Sequence, residues 1–321
     1  MNVATQYYER AIISVSGRAD RPVDLSIVIV SYNTKDMLRD CLNRLSAAAD
    51  GLVSETFVVD NASLDDSAGM VASEFPDVHL IANQDNAGFT RANNQALRLS
   101  IGRHVVILNP DTEAEPGSLA VLVHFLDDHP DVGAVGPKLL NSDGSLQPNG
   151  CRFPRPWREF LAVTGLRNLN RAAFERASWG REEFDQISEV DQVSGACLMV
   201  RGSVMQQVGM LDEDFYMFYE EVEWCWRIKQ SGWKVFYVPQ ARVIHHWMGS
   251  VKQNSRAMTA RLYQSSLVYY RKTGGIGSQL AIRAVMVMGH AKNSFIHSGV
   301  AVKRWVRGLR SGVHGKGATR S

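Results

Sequence analysis

The stretch that decides the fold is LSIVIVSYN, residues 25–33. It is a continuous run of apolar, mostly β-branched side chains that ends in polar residues. A strand buried on both faces of a parallel sheet has this pattern, because helices cover both sides of such a sheet. Residues 34–49 then place apolar side chains at helical spacing. A buried strand followed directly by an amphipathic helix predicts the first half of a βαβ unit.

The same alternation continues along the chain. Further strands are predicted at TFVVD (56–60), VHLIAN (78–83) and HVVILNPD (104–111), with helices near 64–75, 88–100 and 116–129. This order predicts an α/β fold with a mostly parallel central sheet and helices on both faces. The pattern is irregular over 133–160, and residues 161–190 suggest a loop containing a helix. Later strands are expected at 194–201 and 235–247, and helices at 256–272 and 278–310.

Polar residues follow each of the first four predicted strands. The carboxyl ends of parallel strands meet at one edge of a sheet, where ligands bind in open α/β folds. Any one of these residues is explained by turn formation alone, since Asn, Asp and Pro are common in turns. Four such clusters on one edge favour a binding site, which contains Ser31, Asn33, Asp60, Asn61, Asn86, Asn109 and Asp111.

Composition excludes several classes of protein. Hydrophobic residues make up 45% of the chain and charged residues 21%, which is ordinary for a globular protein and excludes disorder throughout. No apolar run reaches the 18 or so residues of a membrane span, and residues 1–23 show no signal-peptide pattern. The cysteines form no CxxC pair, and P-loop, nicotinamide-binding, zinc-protease and serine-hydrolase motifs do not occur.

The net charge of +2 hides a strong asymmetry. Residues 1–223 contain 18 Lys and Arg against 33 Asp and Glu, a net charge of −15, whereas residues 224–321 contain 17 Lys and Arg and no acid. A third of the chain without one carboxylate indicates a partner that is anionic. A membrane surface, a phosphate-rich substrate and a nucleic acid all fit, although no nucleic-acid recognition motif accompanies the charge.

Three groups of residues could perform chemistry, and each also has a structural explanation. Asp111 could bind Mg²⁺ or Mn²⁺, or it could complete a turn with Pro110. The acids of Glu220-Glu221-Val222-Glu223 could supply a general base, or they could complement the dipole of a helix that begins there. His245 and His246 could contact a metal or a phosphate, or they could simply pack.

Seven collinear motifs resolve these choices together. They are SIVIVSYN (26–33), VVDNASLDDS (58–67), NAGFTRANN (86–94), ILNPDT (107–112), SGACLMVR (194–201), LDEDFYMFYEEVEWCWRIKQSGW (211–233) and VIHHWMGS (243–250). Each is weak alone, but the ordered set, spanning about 25–250, is specific. It resembles glycosyltransferase family 2, the inverting nucleotide-sugar transferases of the GT-A fold, and within it the bacterial rhamnosyltransferase-like branch.

The resemblance implies a role for each matching residue. Glu221 matches the catalytic base, which is more often Asp in the family. Asp111 matches the last acid of a DxD motif that binds the divalent cation, the first acid being Asn109 here, and His245 matches a histidine near that cation. Gly195, Ala196 and Glu220 are expected on the acceptor side. The donor-binding positions are Ser31, Asn33, Asp60, Asn61, Asn86, Gly88, Asn93 and Asn109.

The function implied is transfer of a sugar, with rhamnose as a family-level guess, from a dTDP- or UDP-linked donor to a glycan or polyprenyl-diphosphate-linked acceptor. Mg²⁺ or Mn²⁺ would be the cofactor, and the product would be cell-wall or surface polysaccharide. Two alternatives stay open: a nucleotidyltransferase, which would release pyrophosphate, and an inactive protein that only binds sugar nucleotides.

Four regions are expected along the chain: a leader (1–23), a GT-A catalytic domain (24–255), basic amphipathic helices (256–310) and a disordered tail (311–321). The helices interleave apolar residues, including Trp305, with Lys and Arg. This pattern predicts peripheral attachment to an anionic membrane surface at the cytoplasmic face. Packing of the same apolar side on the catalytic domain is the alternative.

Overall fold

A computed structural model describes residues 22–179, 184–247 and 255–313. Most of the expected leader and residues 314–321 of the expected tail lie outside these ranges, as does the end of the VIHHWMGS motif. The strands are β1 (Leu25–Ser31), β2 (Ser54–Asp60), β3 (His79–Ala82), β4 (His104–Leu108), β5 (Thr112–Ala114), β6 (Val132–Leu140), β7 (Leu146–Gln147), β8 (Ser188–Val190), β9 (Cys197–Arg201) and β10 (Lys234–His245).

Helices connect and cover these strands. They are α1 (Lys35–Ala48), α2 (Ser67–Glu74), α3 (Phe89–Leu97), α4 (Ser118–Asp128), α5 (Pro156–Thr164), a 3₁₀ turn (Leu166–Asn170), α6 (Arg171–Trp179), α7 (Gly202–Val208), α8 (Glu220–Gln230) and α9 (Ser255–Val313). The predicted helices at 256–272 and 278–310 correspond to α9, which is interrupted at Gly275, where φ is 68°.

One sheet runs through the molecule in the order β3-β2-β1-β4-β9-β6-β10-β5, with β7 and β8 paired at its sides. The first four strands are parallel, as the alternation of strands and helices predicts. β9 then runs antiparallel between β4 and β6, so the second half of the sheet is mixed. β1 is buried along its whole length, which confirms the prediction from its apolar run.

Two apolar layers fill the space between the sheet and its helices. One includes Leu38, Leu42 and Leu122 from α1 and α4 against one face of the sheet. The other includes Ala92, Trp224 and Ile228 from α3 and α8 against the opposite face. The expected α/β architecture with helices on both faces is therefore confirmed.

The irregular stretch at 133–160 contains a strand that the sequence pattern misses. β6 is nine residues long and lies between β9 and β10 in the middle of the sheet. The pattern does not predict this strand because its two glycines resemble loop residues, whereas in the fold they are needed for close packing. A Cβ at Gly136 would lie 2.7 Å from Val193, and one at Gly133 would lie 2.9 Å from Trp233.

A third apolar cluster joins α9 to the sheet domain. Tyr269, Tyr270, Ile282 and Val285 pack against Phe215 and Val222, which flank the start of α8. Gln279 Nε2 donates to the Leu267 carbonyl at 3.3 Å, although twelve residues of straight helix span about 18 Å. The chain therefore turns back at Gly275, and α9 packs on the domain up to at least Val285. In the described part of the chain, no helix combines the length and apolar character needed to span a membrane.

Candidate active site

The acids at the start of α8 differ sharply in their surroundings. Glu223 accepts two hydrogen bonds from Arg227 Nε, at 2.8 and 2.9 Å, and is nearly inaccessible. Glu220 is also buried, and its Oε2 has no hydrogen-bond partner. Glu221 is partly exposed, and its carboxylate accepts the backbone N–H of Gly195. Of the three residues, Glu221 alone is not fully buried and accepts a backbone hydrogen bond from outside its own helix, although its Oε2 is buried without a partner.

Burial raises the pKa of Glu221, and hydrogen bonds from the backbone N–H groups of Glu221, Val222 and Gly195 only partly offset that effect. Burial also raises the pKa of Glu220 well above its usual value, and the neighbouring charge of Glu221 adds to it. A carboxylate with a raised pKa is a stronger base than a free glutamate, which suits it to taking a proton from a hydroxyl group.

The backbone before these acids is strained. Phe218 and Tyr219 have φ values of 71° and 68°, a left-handed conformation that is rare for non-glycine residues and rarer in succession. Strain of this kind persists only where surrounding contacts over-determine it, and it concentrates at functional sites. Here α9 supplies such contacts, since Ser265 Oγ donates to the Met217 carbonyl at 2.7 Å and Tyr269 packs on the Tyr219 ring.

Short contacts connect Glu221 to the loop after β4. Gly195 lies against Glu221, so that an added Cβ would be 3.5 Å from its Cβ and Cγ. The next residue, Ala196, accepts the backbone N–H of Asn109 at 3.0 Å. The structure thus brings Gly195, Ala196 and Glu221 together beside Asn109. The assignment of Gly195, Ala196 and Glu220 to an acceptor side stays a prediction.

Asp111 and His245 meet at the same edge. Both are largely buried, and His245 Nε2 lies 3.3 Å from Asp111 Oδ1 and 3.4 Å from Asn109 Nδ2. His245 Nδ1 lies 2.8 Å from Gln147 Oε1, which can only accept a hydrogen bond, so this contact favours a proton on Nδ1. In that tautomer the lone pair of Nε2 faces Asn109 and Asp111.

A divalent cation fits this arrangement in part. A lone pair on nitrogen and a carboxylate oxygen 3.3 Å apart would both gain from a cation between them. Within residues 22–179, 184–247 and 255–313, however, no group of three or more His, Cys, Asp and Glu side chains is placed to hold a metal. Asp111 and His245 are thus two side chains that could contribute to a cation site, and oxygens from another molecule would have to complete it.

Three of the residues predicted to bind the sugar donor, Ser31, Asn33 and Asp60, lie at the ends of β1 and β2. Ser31 pairs with Asp60 in the register of the two strands. Asp60 Oδ2 accepts the Ser63 N–H, while its Oδ1 is buried without a partner. Asn33, with φ of 55°, accepts the Leu64 N–H at 2.7 Å. These contacts fix the loop after β2 and leave Asp60 Oδ1 without a hydrogen bond.

Asn61 organises the next loop. Its Nδ2 donates to Asn86 Oδ1 at 3.0 Å and to the Gly88 carbonyl at 3.3 Å, and its Oδ1 accepts from Asn83 and Ala87. Asn93, by contrast, is buried and donates to the Phe89 carbonyl within α3. The structure gives Asn93 a helix-stabilising contact in addition to any role at the donor.

Tyr216 connects this loop to the segment that carries Glu221. No sequence motif predicts this role. Its hydroxyl donates to Asn86 Oδ1 at 2.9 Å, and its carbonyl accepts the Phe89 N–H at 2.9 Å. Gly88 has φ of 86°, and a Cβ there would lie 2.7 Å from the Tyr216 ring. The aromatic run 215–219 is the only sequence signal for this contact. For Gln147, which orients His245, the sequence contains no such signal.

Comparison with known proteins identifies related sequences and a related fold. Residues 22–264 match the model of a family described as "Glycosyltransferase like family 2". The chain is 30% identical over 261 residues to an N-acetylglucosaminyl-diphospho-decaprenol L-rhamnosyltransferase of Mycobacterium tuberculosis, covering 76% of this chain and 83% of that one. It is 29% identical to the low-salt glycan biosynthesis hexosyltransferase Agl10 of Haloferax volcanii, covering 70% and 67% respectively.

A solved structure shares the fold. It is the mannosyltransferase PcManGT from Pyrobaculum calidifontis in complex with GDP-Man and Mn²⁺, with a TM-score of 0.52 and 18% sequence identity. The alignment covers 93% of this chain and 87% of that one. The expected GT-A architecture is thereby confirmed.

Proposed function

The chain belongs to glycosyltransferase family 2, a family of enzymes that transfer sugars from nucleotide donors, and on that premise we propose how this member works. It transfers a sugar, with rhamnose as the first candidate, from a nucleoside diphosphate to a hydroxyl group of a lipid-linked glycan, and the anomeric carbon is inverted. Glu221 is the general base. The observation that supports this proposal best is the carboxylate of Glu221, held by the Gly195 N–H beside the loop of Asn109 and Asp111.

Direct displacement accounts for inversion with the groups that are present. Glu221 takes the proton of the acceptor hydroxyl as its oxygen attacks the anomeric carbon, and the bond to the donor diphosphate breaks on the opposite face. One base is sufficient for this step, whereas retaining hydrolases use a second carboxylate as nucleophile. Glu220, which is buried and has a raised pKa, is suited to staying protonated beside the base.

Asp111 and His245 would hold the divalent cation. Mg²⁺ or Mn²⁺ bound there would neutralise the charge of the leaving diphosphate, whose oxygens would complete a shell that two protein ligands leave open. Gln147 keeps the His245 ring oriented through Nδ1. Asp60, with a buried and unpartnered Oδ1, is the side chain we assign to the nucleoside.

Rhamnose and a lipid-linked acceptor are proposed because the mycobacterial relative is named as a rhamnosyltransferase that acts on N-acetylglucosaminyl-diphospho-decaprenol. A dTDP-linked donor is the first to test, and a UDP-linked donor the second. The basic excess of residues 224–321 supports an anionic acceptor and attachment at the inner, anionic face of the membrane. Release of the protein from membranes when residues 289–321 are removed would support that attachment, and unchanged partitioning would contradict it.

Replacing the base provides the decisive test. Glu221→Gln should lower the transfer rate by about 10²- to 10⁴-fold, the usual contribution of a general base, without changing nucleotide affinity. Glu223→Gln removes a carboxylate from the same helix and should retain most activity, because Arg227 already engages Glu223. Near-normal turnover by Glu221→Gln would refute the assignment. Release of pyrophosphate in place of nucleoside diphosphate would indicate a nucleotidyltransferase.

The cation has its own test. Asp111→Ala should weaken donor binding and remove its dependence on Mg²⁺ or Mn²⁺, as measured by calorimetry with the nucleoside diphosphate. Full activity of the unaltered protein in excess EDTA would rule out the proposed role of the metal.

A further inference from the structure

Exposed apolar side chains are concentrated on α5, the 3₁₀ turn and α9. Of the fifteen large apolar side chains that are exposed in the described residues, nine lie in these three elements. Leu169 is 83% exposed and Trp157 is 52% exposed, while Ile276 and Leu280 on α9 are exposed to a similar degree. α5 packs against both α9 and the 3₁₀ turn, so the three elements adjoin one another. A concentration of this kind indicates an interaction surface.

Arginines interrupt this apolar surface. Residues 152–171 contain five, against a single acid, Glu159. Arg158 stacks on Trp157 with 5.3 Å between its guanidinium carbon and the ring centre, and its Nε is buried without a hydrogen-bond partner. Burial lowers the pKa of Arg158, and the charges of Arg155 and Arg152 lower it further.

Few negative charges balance these arginines. Burial raises the pKa of Glu159, which favours its neutral form. Asp191 lies 4.0 Å from Arg152, but it is shared with Lys229, 3.6 Å away. Three guanidinium groups that interact electrostatically, with few acids near them, would therefore gain from an anion bound at their exposed nitrogen atoms.

The arginines lie close to the base. Cys151, next to Arg152, exchanges backbone hydrogen bonds with Gln192, three residues before Gly195. Phe153 packs on the cluster that contains Phe215 and Val222. The Tyr219 side chain is within electrostatic reach of both Glu159 and Glu221. A ligand on this surface is therefore placed beside the acceptor side of Glu221.

We propose that Arg152, Arg155 and Arg158 bind the diphosphate of a lipid-linked acceptor, and that Trp157, Phe160 and Leu169 receive the first part of its apolar chain. The inference rests on the proposed function, because it assigns residues to the acceptor of that reaction. Arginine suits a diphosphate, since its planar fork donates two parallel hydrogen bonds to phosphate oxygens.

Anionic phospholipid headgroups offer the same phosphate chemistry, so the experiment compares the two sources. The full-length protein is floated with phosphatidylcholine vesicles that carry either polyprenyl diphosphate or an equal charge of phosphatidylglycerol. The double variant Arg155→Gln/Arg158→Gln is compared with Arg167→Gln/Arg171→Gln, which removes the same charge from the adjoining turn and helix.

The first variant should bind diphosphate vesicles about tenfold more weakly than the control variant, which is about 1.4 kcal/mol. Both variants should bind phosphatidylglycerol vesicles equally, and their thermal unfolding midpoints, measured by circular dichroism, should show that both are folded. Equal losses by both variants on both vesicles would mean general attraction to headgroups and would overturn the proposal, as would absence of diphosphate-dependent flotation by the unaltered protein.

Kinetics supply a second readout. For the first variant, KM for a polyprenyl-diphosphate-linked sugar should rise about tenfold with a smaller change in kcat, and an unchanged KM would contradict the proposal. If the unaltered protein releases no nucleoside diphosphate from any sugar nucleotide, the proposed function fails. Flotation, which needs no catalysis, still tests the diphosphate site in that case.

Discussion

Two regions of the active site are built in opposite ways. The amide network, formed by Asn61, Asn83, Asn86 and Gln95, satisfies its side chains through mutual hydrogen bonds of 3.0–3.1 Å. The base segment, residues 216–223, combines two strained backbone positions with buried carboxylate oxygens on Glu220 and Glu221 that have no partner. One region is stabilised by its own contacts, and the other is held in place by its neighbours.

The two regions differ because binding a ligand and accepting a proton have different effects on the folding free energy. A donor pocket must present a fixed shape, which a satisfied hydrogen-bond network provides. A general base needs a carboxylate that water and cations do not fully stabilise, and that condition costs folding free energy. The base segment is therefore expected to respond to mutation with gains in stability, and the amide network with losses.

The largest expected loss follows substitution beside the amide network. Gly88→Ala places a Cβ 2.7 Å from Tyr216 at a residue whose φ of 86° and ψ of 165° are essentially restricted to glycine. We expect the free energy of unfolding to fall by about 3 kcal/mol, as measured by urea denaturation.

Gly209→Ala is the matched control. Gly209 has nearly the same backbone conformation, φ of 84° and ψ of 174°, but the nearest atom to its Cβ position is Arg227 Nη1, at an ordinary contact distance of 3.6 Å. It should cost only about 1–2 kcal/mol, the backbone strain alone. Equal effects of the two substitutions would mean that backbone strain alone, and not the contact with Tyr216, explains Gly88.

The base segment should give an intermediate effect of opposite sign. Glu220→Gln removes a carboxylate whose pKa is raised by burial. A group with a raised folded-state pKa binds more protons in the folded than in the unfolded protein, so stability falls as pH rises from about 4.5 through the folded-state pKa. The variant escapes this loss, and we expect it to be about 1.5 kcal/mol more stable than the unaltered protein at pH 8.

The gain should disappear below pH 4.5, where Glu220 is protonated in both states. Glu223→Gln serves as the control and should give no gain, because Arg227 engages that carboxylate with two hydrogen bonds. Urea unfolding at both pH values measures the difference. A gain that is independent of pH would show that side-chain shape, and not charge, is responsible.

The sequence predicts which residues reach the edge of the sheet better than it predicts contacts between distant segments. Polar residues after buried strands place Asp60, Asn61, Asn109 and Asp111 at one edge, because parallel strands end together. The contact of Gln147 with His245 joins residues 98 positions apart and depends on the short strand β7. No local pattern carries that information. The sequence pattern does not predict β6, because its glycines suggest a loop but in the fold allow close packing against Val193 and Trp233.

The smallest expected effect tests the contact between the two regions. Tyr216→Phe removes the hydroxyl that donates to Asn86 Oδ1 at 2.9 Å, while the ring stays between Gly88 and the Arg261 guanidinium, 4.2 Å from its centre. Because Tyr216 is 37% exposed, water can replace this bond, and the loss should be about 1 kcal/mol or less. A double-mutant cycle with Asn86→Ala measures the coupling in unfolding and in nucleotide affinity. Coupling in both would mean that the base segment helps to shape the donor loop. Coupling in unfolding alone would mean that the two regions share a contact but act independently in binding the nucleotide. The amide network would then depend less on the base segment than the structure suggests.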